Sequence, residues 1–219
     1  MSKLKDLEEL KKQHQKLGVE YERLGEEIKK LEEEGQAKLY DLVKFSNHDW
    51  YIIDEDDDTL TLLMKDKLSP EQCTKYFEKR LLDCDKDVRF NSNYKNIWWA
   101  DSPIRMTLNS EFLKELDIPK LELMTTTVSA DGQSRTTEDY VRLLTKDEAE
   151  RLPLDVLKSN YSYGYWTMSP SLFNNDSRAH EFSVTGAGEL NGWSYVSVGY
   201  GVRPVIRVTK DNAVTKLED

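Results

Sequence analysis

Leu10, Leu17, Leu24 and Leu31 recur every seven residues, and Leu7, His14, Tyr21 and Ile28 fill the positions between them, completing an a/d seam over four heptads. Glu and Lys occupy most of the remaining positions, as expected of solvated flanks. Residues 1–36 are therefore expected to form a coiled-coil oligomerisation stalk, roughly 40 Å long at about 1.5 Å per residue. A lone helix of this kind has nowhere to bury its stripe, so self-association is the economical expectation. Leu at every d position with His14 and Tyr21 at a departs from the Ile/Leu rule for dimers, and a homotrimer is favoured without closing the alternatives. His14 reads as a tolerated core-edge histidine, with a pH switch as the other reading. Gly35 ends the helix after Glu32-Glu33-Glu34, an acidic close that opposes the macrodipole.

From Ala37 the pattern shortens. Leu42-Val43-Lys44-Phe45 and Trp50-Tyr51-Ile52-Ile53 read as strands around a Ser46-Asn47-His48 turn, with Leu60-Thr61-Leu62-Leu63-Met64 as a third. Asp54-Glu55-Asp56-Asp57-Asp58 lies between the last two. Clustered carboxylates suit a hard cation, but the run lacks the Gly and terminal Glu of an EF-hand loop, and a solvated hairpin tip is the preferred reading. Ser69-Pro70-Glu71-Gln72 predicts a capped helix with Cys73, Phe77 and Leu81 on one face. Ser102-Pro103 repeats the device ahead of Ile104, Leu108 and Phe112. A third helix is predicted from Thr145, with Glu148 at N3, to a stop before Pro153. Between these, residues 129–135 read as an exposed loop and Tyr140-Val141-Arg142-Leu143-Leu144 as a buried strand. Tyr200 to Val208 reads as a terminal strand.

Composition changes this picture in three ways. Of 219 residues, 33% are charged and only 38% hydrophobic, with a net charge of −10, and the hydrophilic first segment accounts for much of that average. An acidic chain without a Lys/Arg cluster carrying interleaved aromatics argues against nucleic acid as a partner. No apolar run approaches the roughly 18 residues of a membrane span, and the start lacks the apolar stretch of a secretory signal, so no membrane insertion is expected. Cys73 and Cys84 have no nearby His and fit neither a zinc site nor a disulfide framework; reduced structural thiols are expected.

The C-terminal third has its own vocabulary. Tyr161-Ser162-Tyr163-Gly164-Tyr165-Trp166 is aromatic, and Ser171 to Gly201 is rich in Ser, Asn, Gly, Tyr and Trp with almost no Lys. Rigid amphipathic rings among small polar residues are the composition of antibody-like paratopes. A loop-rich cover over the core would use the same residues, and composition leaves the two readings level.

The order of Trp50-Tyr51-Ile52-Ile53-Asp54, Asp101-Ser102-Pro103-Ile104-Arg105 with Leu108, Asn109 and Phe112, Leu143-Leu144-Thr145 with Glu148, Tyr165-Trp166-Thr167-Met168-Ser169-Pro170 and Gly201-Val202-Arg203-Pro204 resembles a bacterial and phage domain family with the C-type-lectin-like fold of the formylglycine-generating-enzyme type. The resemblance covers about residues 38–209 and implies an α+β, C-type-lectin-like fold over residues 37–219, with short strands and two to three capped helices. It extends to the variable proteins of diversity-generating retroelements, whose archetype is a phage tail-tip receptor-binding protein. By that resemblance the variable-type region is about 166–203, with Trp166, Pro170, Gly201 and Arg203 as framework. Adenine-directed mutagenesis of an Asn codon is compatible with Asn174, Asn175, Asp176, Ser177, Arg178, His180, Ser183, Thr185, Asn191, Tyr195, Ser197 and Gly199, whereas Glu181, Glu189 and Trp193 require another codon.

An enzymatic reading lacks a constellation. His14 lies in the stalk, His48 in a turn and His180 in the variable stretch, and no Gly-rich phosphate loop, HExxH or GxSxG pattern is present. The paired cysteines that formylglycine-generating enzymes use near the C-terminal end have no counterpart after Cys84, and the calcium-ligand motifs of sugar-binding lectins are missing apart from a faint echo in Asn174-Asn175-Asp176. The expectation is a non-enzymatic receptor-binding protein without cofactor or metal, in a phage virion or the bacterial cytoplasm, binding a host or cell-surface protein or glycan. Phe173, Trp193 and Tyr195 would be aromatic anchors, and Asn174, Asp176, Arg178, His180 and Asn191 the polar contacts, with Asn175, Ser177, Ser183, Thr185 and Ser197 completing the site. The alternatives are an undiversified structural virion or assembly protein and a cytoplasmic scaffold.

Overall fold

A computed structural model describes residues 2–35, 37–83, 87–91, 93, 96–159, 164–171, 180–210 and 215–217. The chain divides into two units, Met1–Ala37 and Lys38–Asp219. The first holds one helix, α1 (Ser2–Gly35), on which Leu17, Tyr21 and Leu24 are 54%, 75% and 43% exposed. Among the described residues no helix is long and apolar enough to cross a membrane.

The second unit is α+β. In chain order it contains β1 (Leu42–Phe45), β2 (His48–Glu55), β3 (Thr59–Met64), α2 (Pro70–Tyr76), β4 (Val88–Arg89), α3 (Pro103–Thr107), β5 (Met124–Ala130), β6 (Gln133–Asp139) and β7 (Val141–Arg142). There follow α4 (Lys146–Arg151), α5 (Leu154–Leu157), β8 (Tyr165–Pro170), β9 (His180–Val184), β10 (Leu190–Tyr195), β11 (Gly199–Tyr200), β12 (Val205–Thr209) and β13 (Thr215–Lys216).

The meander is present, with one correction. Ser46 and Asn47 alone make the turn, at φ 47° and 64°, and His48 is the first residue of β2, paired with Phe45. Two residues with positive φ match the right-handed strand twist, so the hairpin closes more tightly than a three-residue turn allows. The acidic run forms the next hairpin end: Asp56 accepts from the backbone N–H groups of Asp58 and Thr59 and from the Thr59 hydroxyl. Strand β12 inserts between β3 and β7, giving a six-stranded sheet in the order β13-β1-β2-β3-β12-β7. Its pairing is Val205 with Leu63 through Thr209 with Thr59. The terminal strand is thus shorter than the expected span from Tyr200, because Gly201 to Pro204 turns to meet β8: Gly201 N–H donates to Gly164 O at 2.9 Å and Trp166 N–H donates to Gly201 O at 3.0 Å.

All three expected N-caps are formed, and Ser69/Gln72 and Thr145/Glu148 are complete capping boxes. The helices are shorter than expected. The backbone turns extended at Phe77, so Leu81 is buried from a separate helical turn. After α3 the helix widens at Leu108–Phe112, where Asn109 donates to the Arg105 and Val141 carbonyls and accepts from the Tyr140 and Val141 N–H groups. One amide thereby anchors the helix to β7, while Ile104, Leu108 and Phe112 are wholly buried. The strand expected over residues 140–144 is reduced to Val141–Arg142, although Leu143 and Leu144 remain buried.

Trp50, Trp99 and Trp166 are fully buried, and each indole N–H finds an acceptor: Phe45 O, the Asp139 carboxylate and Val88 O. Arg203 is also fully buried. Its guanidinium donates to the Met64, Lys65 and Leu157 carbonyls and to the Tyr165 hydroxyl, so a charge beneath the sheet is held by four oxygens.

Candidate functional site

Much of the stretch expected to be either contact surface or loop cover is strand. Strands β8, β9 and β10 form an antiparallel sheet in the order β10-β9-β8. Alternation sends the two sides of β9 to different environments. Ser183, cross-strand from Trp166, hydrogen-bonds the Ser194 hydroxyl at 2.7 Å, and Glu181, cross-strand from Ser194, shares that inner face. On the other face the His180 ring lies 4.5 Å from the Tyr195 ring and 5.8 Å from that of Trp193.

A bulge sets that outer face. The register passes from Asn191 opposite Ser183 to Ser194 opposite Glu181, so Gly192 and Trp193 together face Phe182. An extra residue re-aims the side chains that follow it. A Cβ at Gly192 would come within 2.8 Å of the Phe182 ring edge and force that ring to shift. Ser171 donates to Gly192 O, Trp193 N–H donates to the Asn191 side chain, and the Trp193 indole is left 68% exposed.

This face borders a cleft of about 720 Å³, within the usual range for ligand sites. Its described lining includes Phe182 and Trp193, Ser169 and Ser171, and Thr127 to Ala130 of β5. Lys146 and Asp147, at the start of α4, line it as well. Lys146 N–H donates to the Ser169 hydroxyl, and its ammonium is 5.6 Å from the Phe182 ring centre while pairing with Glu150. The end of α4 is fixed from below. Glu148 takes two hydrogen bonds from Arg142 and caps Thr145; burial pushes its carboxyl up, but Arg142 and Thr145 outweigh this and hold it below the usual carboxylate range.

The expected site residues are spread over several environments. Phe173, Asn174, Asn175, Asp176, Ser177 and Arg178 lie outside the described residues. Trp193 and Ser197 are exposed, and Thr185, Asn191 and Tyr195 half-buried. His180 and Ser183 are only 2% and 1% exposed. Phe182 and the β5 wall are additions that the sequence reading missed. Residues 129–135, expected as a loop, form the end of the β5/β6 hairpin, with Asp131 and Gly132 at φ 50° and 73°. The Asp-Gly pair was the available signal.

Glu181 is wholly buried, neither carboxylate oxygen has a hydrogen-bond partner, and burial holds its pKa well above the ordinary carboxylate range. Cys73 donates to Leu68 O, and burial pushes its thiol up to about 12, which disfavours the thiolate. His48 packs against Trp50 and Phe112. Cys84 lies outside the described residues. No cluster of three or more potential metal ligands occurs among the described residues.

Compared with known protein families, characterised proteins and solved structures, the chain matches none of them.

Proposed function

We propose that this chain is a non-enzymatic ligand-binding protein with a C-type-lectin-like domain, a variable protein of the diversity-generating retroelement type, carried on a homo-oligomeric coiled-coil stalk. Its ligand is a protein or glycan on a host or cell surface, and its place is a phage tail or the bacterial cytoplasm. The observation that carries the binding reading is Trp193: Trp50, Trp98, Trp99 and Trp166 are at most 7% exposed, whereas Trp193 is 68% exposed beside a cleft. A large ring left in water on a strand whose bulge aims it outward is the kind of group that anchors interfaces. The His180 ring packs edge-on against it and is itself packed by Tyr195, and the variable-type residues expected from the resemblance flank it in sequence.

An undiversified structural or assembly protein of the same fold is the second reading, and the burial of His180 and Ser183 favours it, because varying buried positions would disturb packing. A nearly identical DNA repeat differing mainly at adenines, beside a reverse transcriptase, separates the two. The contact surface is tested with labelled full-length protein on host cells. Trp193→Ala and Tyr195→Ala are each expected to weaken binding at least about tenfold, the usual scale of an aromatic anchor. Unchanged binding in both would remove the site assignment.

A further inference from the structure

The polar wall of the cleft is a strand edge. Among the described residues β5 pairs with β6 alone, and the two-residue turn at Asp131-Gly132 makes Ala130 and Gln133 the hydrogen-bonded closing pair. By alternation Val128 is hydrogen-bonded across to Arg135, while Thr127 opposite Thr136 and Ser129 opposite Ser134 are non-hydrogen-bonded pairs. The side chains agree, since closer approach at such pairs brings the Thr127 and Thr136 hydroxyls to 2.8 Å and the Ser129 and Ser134 hydroxyls to 2.7 Å. The backbone N–H and C=O groups of Thr127 and Ser129 therefore point away from β6. The cleft is lined from Thr127 to Ala130 with no described residue of β6, so these groups face into it, and no described backbone group pairs with them.

Exposed strand edges are ordinarily protected by charge, proline or cover. From Met124 to Ala130 there is no charged residue and no proline, and the charges of the hairpin are Asp131 in the turn and Arg135, Glu138 and Asp139 on β6. An edge unpaired among the described residues and uncharged, in the same cleft as Phe182 and Trp193, offers what an extended polypeptide needs: alternating backbone donors and acceptors on one side and a place for alternate side chains on the other. A saccharide would use the rings and hydroxyls but has no reason to match the repeat of the edge.

We infer that β5 receives an extended, largely uncharged segment of a partner protein as an added strand, paired through Thr127 and Ser129, with alternate side chains entering the cleft beside Phe182 and Trp193. This rests on the cleft being the ligand site. The probe is a library of random linear peptides selected on the full-length protein. Ser129→Pro removes one outward N–H without touching the ladder to β6, and Thr127→Pro does the same one pair earlier. Selected peptides are expected to bind about tenfold more weakly to either variant, the scale of one lost backbone hydrogen bond. They are also expected to lose affinity when alternate amides are N-methylated and to keep it when the intervening ones are. The methylated peptides leave the protein unaltered, so this arm stands even if a proline variant is misfolded. Failure to enrich any peptide, or peptides indifferent to both proline variants and to methylation, overturns strand addition. Binding to immobilised saccharides that Trp193→Ala abolishes and Ser129→Pro leaves intact also overturns it, in favour of a glycan, and keeps the cleft as the site. Host-cell binding indifferent to Trp193→Ala and Tyr195→Ala removes the cleft itself.

Discussion

Glu181 is the residue whose surroundings make the sharpest demand. It sits on the inner face of β9 opposite Ser194, whose hydroxyl is already engaged with Ser183, and a carboxylate there would be wholly buried with no donor among the described residues. Burial therefore favours the protonated acid in the folded protein, whereas the unfolded chain releases the proton in the ordinary carboxylate range. Between those two pKa values the folded state binds more protons, so this group's contribution to stability is intact at low pH and declines as pH rises towards the folded pKa. Glu181→Gln keeps the shape and removes the proton. Thermal melts are expected to show a variant more stable than the parent at about pH 8, with the gap narrowing towards about pH 4. A constant gap across that range would show that the carboxyl does not titrate as its burial requires. Arg203 is the counter-case: it is equally buried, but four acceptors surround it, and Lys could not supply the same planar fork.

Among the elements, those marked by caps were the most legible. Ser69-Pro70 with Gln72 and Thr145 with Glu148 specify local hydrogen bonds, and local hydrogen bonds can be read from neighbouring residues. The β5/β6 hairpin was not legible as a pair of strands, because its solvent face carries Thr125, Thr127 and Ser129 while only Met124 and Val128 are buried on β5. With so few apolar positions, alternation gives a weak signal, and Thr-rich strands resemble polar loops. The entry to β8 shows the opposite limit, a glycine whose requirement is invisible locally. A Cβ on Gly164 would lie 1.9 Å from Val184 O, a backbone atom that cannot swing aside. Gly164→Ala is expected to destabilise the domain by about 2 kcal/mol or more, read as a fall in the urea midpoint.

For the whole molecule, the heptad stripe and the proposed binding face lie in different units of the chain. Leu17, Tyr21 and Leu24 are exposed on α1, so the stripe is available to other copies. Leu17→Asp combined with Leu24→Asp in the full chain places charges in the seam. Light scattering is expected to show an oligomer for the parent and a lower mass for the double variant. Apparent affinity for host cells is expected to drop about a hundredfold with each domain's own site intact, since linked weak sites gain through effective concentration. A parent that scatters as a monomer would remove both the stalk and the avidity argument.

The sequence by itself determined what depends on near neighbours: a long heptad-patterned helix, three N-caps, a meander opening the second unit, and a C-terminal third stocked with rings and small polar residues. Tertiary structure alone decided which of those rings stay in water. Trp166 and Trp193 belong to the same C-terminal third, yet one is sealed against Phe90 and Val88 while the bulge at Gly192-Trp193 turns the other outward. Burial of His180, Glu181 and Ser183 likewise depends on the registers of β8, β9 and β10, and the shared cleft of β5 and Phe182 on packing between segments far apart in the chain. Composition assigns a residue its chemistry, but register and packing set the direction in which it points.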